Sequence, residues 1–146
     1  MHITLETDYA IRILNVLARK KLEMKNSVSG EKRRFYVDAK TISEKTDVPL
    51  RFALKILHKL VNADIVRSYK GVYGGYEFAR ELDELSLYDV VELVEGIYKF
   101  SRCLGDGYNC ACEETGLPCA YRHVFSELSD KVNDFLKKQT FDKLVK

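Results

Sequence analysis

A mainly α-helical fold carrying one small β-hairpin is predicted by three features of the sequence. Apolar residues recur at helical spacing in five separate stretches; a cationic helix follows a short helix across the turn Thr46-Asp47-Val48-Pro49; and two short β-prone runs flank a glycine-rich segment directly after it. Helix, turn, helix and hairpin in that order predict a winged helix-turn-helix.

Each element has its own signature. Tyr9, Ala10, Ile13, Leu14 and Leu17 place one apolar stripe on a first helix, with Thr4 as its cap. Residues 21–34 lose that period and become polar, which predicts a loop ending in Lys32, Arg33 and Arg34. Phe35, Tyr36 and Val37 suit a short strand, and Asp38 suits the N-cap of a short helix through Ala39, Ile42 and Lys45. The next helix, roughly 50–62, buries Ala53, Ile56, Leu57, Leu60 and Val61. Its Arg51, Lys55 and Lys59 recur every four residues on another face, beside His58 and Asn62.

Ile65 to Tyr69 and Tyr76 to Ala79 then read as antiparallel strands around Lys70-Gly71-Val72-Tyr73-Gly74-Gly75. A tight tip favours positive φ, which explains glycine there. The segment does not match a P-loop or a dinucleotide fingerprint. Ser86, with Asp89 three positions on, caps a helix whose apolar residues run from Leu87 to Val94 and which stops at Gly96. Residues 101–119 are irregular. A last helix, about 120–138, carries Tyr121, Val124, Phe125, Leu128, Val132, Phe135 and Leu136 on one side, a stripe suited to pairing with a second copy of itself.

Charge is divided along the chain. Residues 1–80 hold 16 Lys+Arg against 9 Asp+Glu and the remaining 66 hold 8 against 13, so a +7 segment precedes a −5 segment within a net charge of +2. A basic region followed by an acidic one suits contact with a polyanion on one side and with protein on the other. In a helix-turn-helix that polyanion is DNA, and Arg51, Lys55, His58 and Lys59 on the recognition helix, with Arg67 and Lys70 on the wing, are the expected DNA-binding residues. Residues 1–80 therefore form the expected DNA-binding region, and 81–146 the cysteine segment and dimerisation helix, within one compact domain. No apolar run is long enough to cross a bilayer, and the expected location is the cytoplasm.

All four cysteines, Cys103, Cys110, Cys112 and Cys119, lie within 17 residues as C-x6-C-x-C-x6-C. Thiols crowded in a reducing compartment point to a metal, a cluster or a thiol switch. Thiolate is a soft ligand for zinc or iron-sulfur centres, and the C-x2-C knuckles usual in structural zinc sites are absent. A four-thiolate zinc site, an iron-sulfur cluster and a thiol-disulfide switch all remain compatible with the spacing. An enzyme is disfavoured, since there is no C-x2-C redox motif, nucleotide fingerprint or hydrolytic triad pattern.

The segments TDYAIRIL, KTISEKTDVPLRFALKILHKL, GGYEFAR, LSLYDVVELVEG, CLGDGYNC and LPCAYRHVFSELSDKVNDFL, in this order, resemble the Rrf-type family of winged helix-turn-helix transcription regulators, which includes iron-sulfur biogenesis regulators and nitric-oxide-sensing repressors. The resemblance covers the chain except the loop at 21–34. It implies a homodimer on palindromic operator DNA, with a 2Fe-2S or 4Fe-4S cluster held by three cysteines and one other ligand. On that pattern Cys103, Cys110 and Cys119 are the thiolates, and Cys112 departs from the family as an extra thiol. Asp8 matches the acidic ligand that some nitric-oxide-sensing members supply from the partner subunit. His123 is the second candidate, four residues after the last cysteine, where the iron-sulfur biogenesis regulators of the family place their histidine ligand three after.

Overall fold

The structure, a computed structural model, describes residues 3–26, 36–108, 110 and 119–145. Among them are six α-helices, one 3-10 turn and a two-stranded antiparallel hairpin. Helix α1 (Leu5–Lys25) is the centre of the fold and packs against α2 (Ala39–Thr46), α3 (Leu50–Asn62), β2 (Gly75–Phe78) and α4 (Leu87–Glu95). Thr4 caps it, its hydroxyl accepting from the Thr7 amide, and Thr7, Ala10, Ile13, Leu14, Leu17 and Ala18 form the buried face. The helix runs past the expected loop start at residue 21. Leu22 continues the stripe one turn beyond Ala18 and packs against the core, while Lys21 and Lys25 both pair with Glu81, so the last turn has partners the one-dimensional pattern does not contain.

Asp38 caps α2 by accepting from the Thr41 amide at 2.9 Å and the Thr41 hydroxyl at 2.6 Å, and these bonds hold its carboxyl below the ordinary carboxylate range. At the turn into α3, Asp47 takes a left-handed conformation at φ 55°. Ser43 Oγ donates to the Val48 carbonyl at 2.6 Å and Thr46 Oγ1 to that of Ile42 at 2.7 Å, so side chains satisfy carbonyls that the bend leaves open. Helix α3 begins after Pro49, whose ring suits a helix boundary, and buries Ala53, Ile56, Leu57 and Leu60 of the expected stripe, while Val61, near the helix end, is only half-buried against the core.

Strand β1 (Val66–Tyr69) pairs with β2 in the register Val66 to Phe78, Arg67 to Glu77, Ser68 to Tyr76 and Tyr69 to Gly75. The expected strand at 35–37 is reduced to an isolated bridge in which Val37 and Tyr76 exchange both backbone hydrogen bonds at 2.8 Å; Phe35 lies outside the described residues. The tip glycines serve two purposes. Gly71 has φ +106°, whereas at Gly75 a Cβ would come within 2.7 Å of the Val37 carbonyl oxygen, so that position needs glycine for close approach rather than for its dihedral.

Helix α4 starts with a reciprocal capping box, Ser86 Oγ accepting from the Asp89 amide and the Asp89 carboxylate accepting from the Ser86 amide at 2.7 Å. A 3-10 turn, Arg102–Leu104, precedes α5 (Ala120–Lys137). Helix α5 runs back antiparallel to α4: the Leu87 amide donates to the Gln139 carbonyl at 2.9 Å, Ser86 bridges Thr140, and Asn133 Nδ2 donates to the Tyr98 carbonyl at 3.4 Å. Its 18 residues are twice the 9 of α4, so its first half extends past the end of α4, where Phe100 covers Phe125 with ring centroids 5.5 Å apart.

A short helix not expected from the sequence, α6 (Phe141–Leu144), then closes the core. Phe141 is 1% exposed, its amide donates to the Leu85 carbonyl at 3.0 Å, and its ring lies 5.6 Å from that of Phe78.

Candidate functional site

Helix α3 and the hairpin present the residues expected to meet DNA on the outside of the fold. Arg51, Lys55 and His58 are exposed and Lys59 is half-buried, all clear of the buried stripe of the same helix. Asn62 Nδ2 lies 3.1 Å from His58 Nδ1, a pairing one turn apart that fixes the ring at the end of the helix. On the hairpin, Lys70 is exposed at the turn, and Arg67 is 61% exposed at its side chain but pairs across the strands with Glu77 at 3.0 Å. Val72, at the tip, is 96% exposed.

The first turn of α1 adds a residue that the sequence reading passed over. Glu6 Oε1 lies 2.6 Å from Lys59 Nζ and Glu6 Oε2 lies 3.5 Å from Lys55 Nζ, so two of the expected DNA-facing cations share one carboxylate. Lys59 beside it holds the Glu6 carboxyl below its ordinary value. In one dimension Glu6 is an acid favoured by the helix dipole. Its partners lie about fifty residues away on another helix, and no local pattern reveals them.

One position further, Thr7 is fully buried and belongs to a junction between α1 and the end of α4. Glu95 Oε1 accepts from the Thr4 amide at 2.9 Å, from the Thr4 hydroxyl at 2.9 Å and from the Thr7 hydroxyl. The same end of α4 leads through Gly96, at φ +83°, toward the first cysteine.

Cys103, Cys110 and Cys119 are half-buried free thiols; Cys112 lies outside the described residues, as do Lys32, Arg33 and Arg34. Cys103 Sγ donates to Ser101 Oγ at 3.2 Å from within the 3-10 turn, and Cys119 stands at the N-cap of α5. Cys119 and His123 line one groove of about 540 Å³ beside Tyr98, Arg122 and Asp130. Asp8 does not line that groove and makes an ion pair with Arg12 at 2.8 Å, its side chain 43% exposed. Among the described residues no three of His, Cys, Asp and Glu are gathered closely enough to share a metal ion. The donor chemistry nonetheless fits a soft metal centre: three thiols free of disulfides, on a segment of one chain.

A helix-turn-helix with cations on its second helix, followed at once by a hairpin, defines a winged-helix DNA-binding regulator rather than an enzyme. The chain belongs to the Rrf2 family, whose model, described as an iron-dependent transcriptional regulator, matches residues 3–146. A protein of Aquifex aeolicus assigned as an HTH-type transcriptional regulator is 32% identical over 109 residues, 75% of each chain. The transcriptional regulator IscR of Vibrio campbellii is 28% identical over 105 residues, 72% of this chain and 60% of that one. Among solved structures, the oxidized form of Staphylococcus aureus CymR superposes with a TM-score of 0.71 at 23% identity, covering 100% of this chain and 97% of that one. IscR from T. potens gives 0.68 at 19% identity, covering 99% and 85%. These superpositions establish the fold. Among the described residues no helix is long and apolar enough to cross a membrane.

Proposed function

We propose that this chain is a homodimeric transcription regulator that docks on a palindromic operator through α3 and the hairpin, and senses redox, nitric oxide or iron-sulfur status through a 2Fe-2S or 4Fe-4S cluster on its cysteine segment. The observation that carries this reading is the Thr4, Thr7 and Glu95 junction. It joins the first turn of α1, which packs on the DNA-facing helix, to the end of α4, from which the chain runs into the cysteines. A change at the thiols thus reaches the DNA-binding unit through one short, hydrogen-bonded connection, and a ligand that favours one arrangement of that connection shifts DNA affinity.

Cys103, Cys110 and Cys119 supply the thiolates, with Asp8 of the second protomer as the fourth ligand; Cys112 and His123 are the alternatives. The iron-dependent description of the family and the IscR relatives support iron over zinc. Asp8 is accessible enough to serve a neighbouring protomer, once its own Arg12 releases it. The cluster would contribute redox-responsive chemistry; the chain contributes soft thiolates and one exchangeable oxygen ligand. At the DNA, Arg51, Lys55, His58, Lys59, Arg67 and Lys70 divide between base edges and phosphates. Replacing Arg51 is expected to relax specificity at one base position by roughly 1–3 kcal/mol, as loss of a bidentate base contact does.

Dimerisation falls to α5. Tyr121, Val124 and Phe135 are 76%, 57% and 63% exposed and Leu128 is 37% exposed, while Ser129 alone among the residues of this helix is buried. An uncovered apolar stripe on an 18-residue helix suits a second copy of the same helix.

A thiol-switch or zinc regulator without a cluster is the second reading. Its thiol-switch form is favoured by the free, half-buried thiols Cys103, Cys110 and Cys119. Protein purified without air decides between them. Visible absorption with iron and acid-labile sulfide supports the cluster; zinc, or metal-free protein whose DNA binding responds to thiol oxidants, supports the alternative.

A further inference from the structure

Lys55 and Lys59 are placed to meet DNA, yet in the free protein both face Glu6. Glu6 is not a stray surface acid. Its side chain is 33% exposed, Oε1 is shielded from solvent, and it sits on the first turn of α1 against a groove formed with Tyr9, Phe52 and Ile56. That turn is itself fixed, because Thr4 and Thr7 hydrogen-bond to Glu95 at the end of α4. The carboxylate is therefore held at the recognition helix by the fold, whereas the lysine ammonium groups move on flexible stems and have a choice of partner.

We propose that Glu6 is a positioning residue for DNA recognition: it acts as a built-in counter-charge that competes with DNA phosphate for Lys55 and Lys59, and the Thr4, Thr7 and Glu95 junction sets how well it competes. Glu6 can play this part only if α3 faces DNA, the docking read above. With the junction intact, the carboxylate engages both lysines, its single negative charge offsetting one of their two positive charges, and repels phosphate within a Debye length of about 8–10 Å. When the junction loosens, the lysines are released to phosphate. Affinity is tuned at a point through which α4 leads to the cysteines, so the thiol segment and the recognition helix are coupled by charge as well as by packing.

The test uses the full chain and a random-sequence DNA duplex at low salt, where binding is driven by phosphate contacts. Exposed ion pairs are individually weak, so Glu6→Gln is expected to tighten binding about 3- to 10-fold and to steepen the dependence of log K on log salt by about one unit. Glu95→Ala, which breaks the junction but leaves the ion pairs possible, should give part of that gain, and none when added to Glu6→Gln.

Lys55→Ala and Lys59→Ala, made in both the wild-type and Glu6→Gln backgrounds, separate the two layers of the reading. If neither lysine variant changes affinity in either background, α3 does not meet DNA through them and the docking itself fails. If the lysine variants weaken binding but Glu6→Gln leaves it unchanged or weaker, docking stands and the counter-charge is refuted. A Glu95→Ala gain of full size in the Glu6→Gln background overturns the junction's role. Thermal melting of each variant confirms that a folded protein is being compared.

Discussion

Arg67 and Glu77 face each other directly across the hairpin, Nη1 to Oε1 3.0 Å apart, and Tyr69 Oη donates to the same carboxylate oxygen at 2.8 Å. The wing thus carries an internal partner for one of its two expected DNA cations. Removing Lys70 is expected to flatten the salt dependence of DNA binding by about one unit, as loss of a phosphate contact does, and removing Arg67 by clearly less. Affinity titrations of Lys70→Ala and Arg67→Ala over a salt series check this. Equal slopes for the two variants would mean that Arg67 leaves Glu77 entirely on the DNA.

The exposed stripe of α5 gives a prediction about assembly. If α5 pairs with a second copy as proposed, Leu128→Glu places a charge in the middle of that pairing, and an unpaired ion in an apolar interface is strongly unfavourable. Sedimentation should show monomers, and operator binding should fall sharply because a monomer reaches one half-site. Since Leu128 is 37% exposed in the single chain, the monomer should keep its helical content and melting temperature, and a dimeric variant would show that the stripe is covered in another way.

For the thiols, single variants reconstituted with iron and sulfide without air should sort by role. Cys103→Ser, Cys110→Ser and Cys119→Ser are expected to abolish the visible absorption of the reconstituted protein, and Cys112→Ser to retain it. Asp8→Ala should leave it labile and weaken its link to DNA affinity. Loss with Cys112→Ser together with wild-type behaviour of Asp8→Ala would favour an all-cysteine site.

Phe141 and Leu144 stand three residues apart on α6 with opposite fates, 1% and 45% exposed. Phe141→Ala is expected to cost about 3–5 kcal/mol, since the ring fills the core against Phe78 and cannot be replaced by collapse of so short a helix. Leu144→Ala should stay within about 0.5 kcal/mol, as surface substitutions do. Denaturant melts of the two variants measure the contrast.

Long periodic elements were readable from the sequence because their boundaries are chemically marked. Pro49 opens α3 and the Ser86-Asp89 pair opens α4, and both helices begin where those residues place them. Local signals failed where tertiary partners decide. The last turn of α1 is held by Leu22 in the core and by Glu81, and the four residues of α6 are too few to display a period, so Phe141 reads as a tail until Leu85 and Phe78 are placed beside it. The cations Arg51, Lys55 and Lys59, clear of the buried stripe of α3, were legible as a four-residue repeat. The counter-charges, Glu6 for Lys55 and Lys59 and Glu77 for Arg67, are contacts between elements, which periodicity cannot encode.

The bridge between Ser86 and Thr140, with the Leu87 amide bonded to Gln139, ties the far end of α5 to the start of α4. The chain between the two helices is therefore a closed loop, anchored on one packed unit at both ends, and every cysteine lies within it. Closing a loop loses entropy only as the logarithm of its length, and here that loss is incurred when the helices pack. Cys103, in the 3-10 turn after α4, and Cys119, at the N-cap of α5, are consequently kept at high effective concentration with respect to one another, as linked modules are. Substitutions at the clasp, remote from any sulfur atom, would dilute them and lower the affinity for whatever they hold.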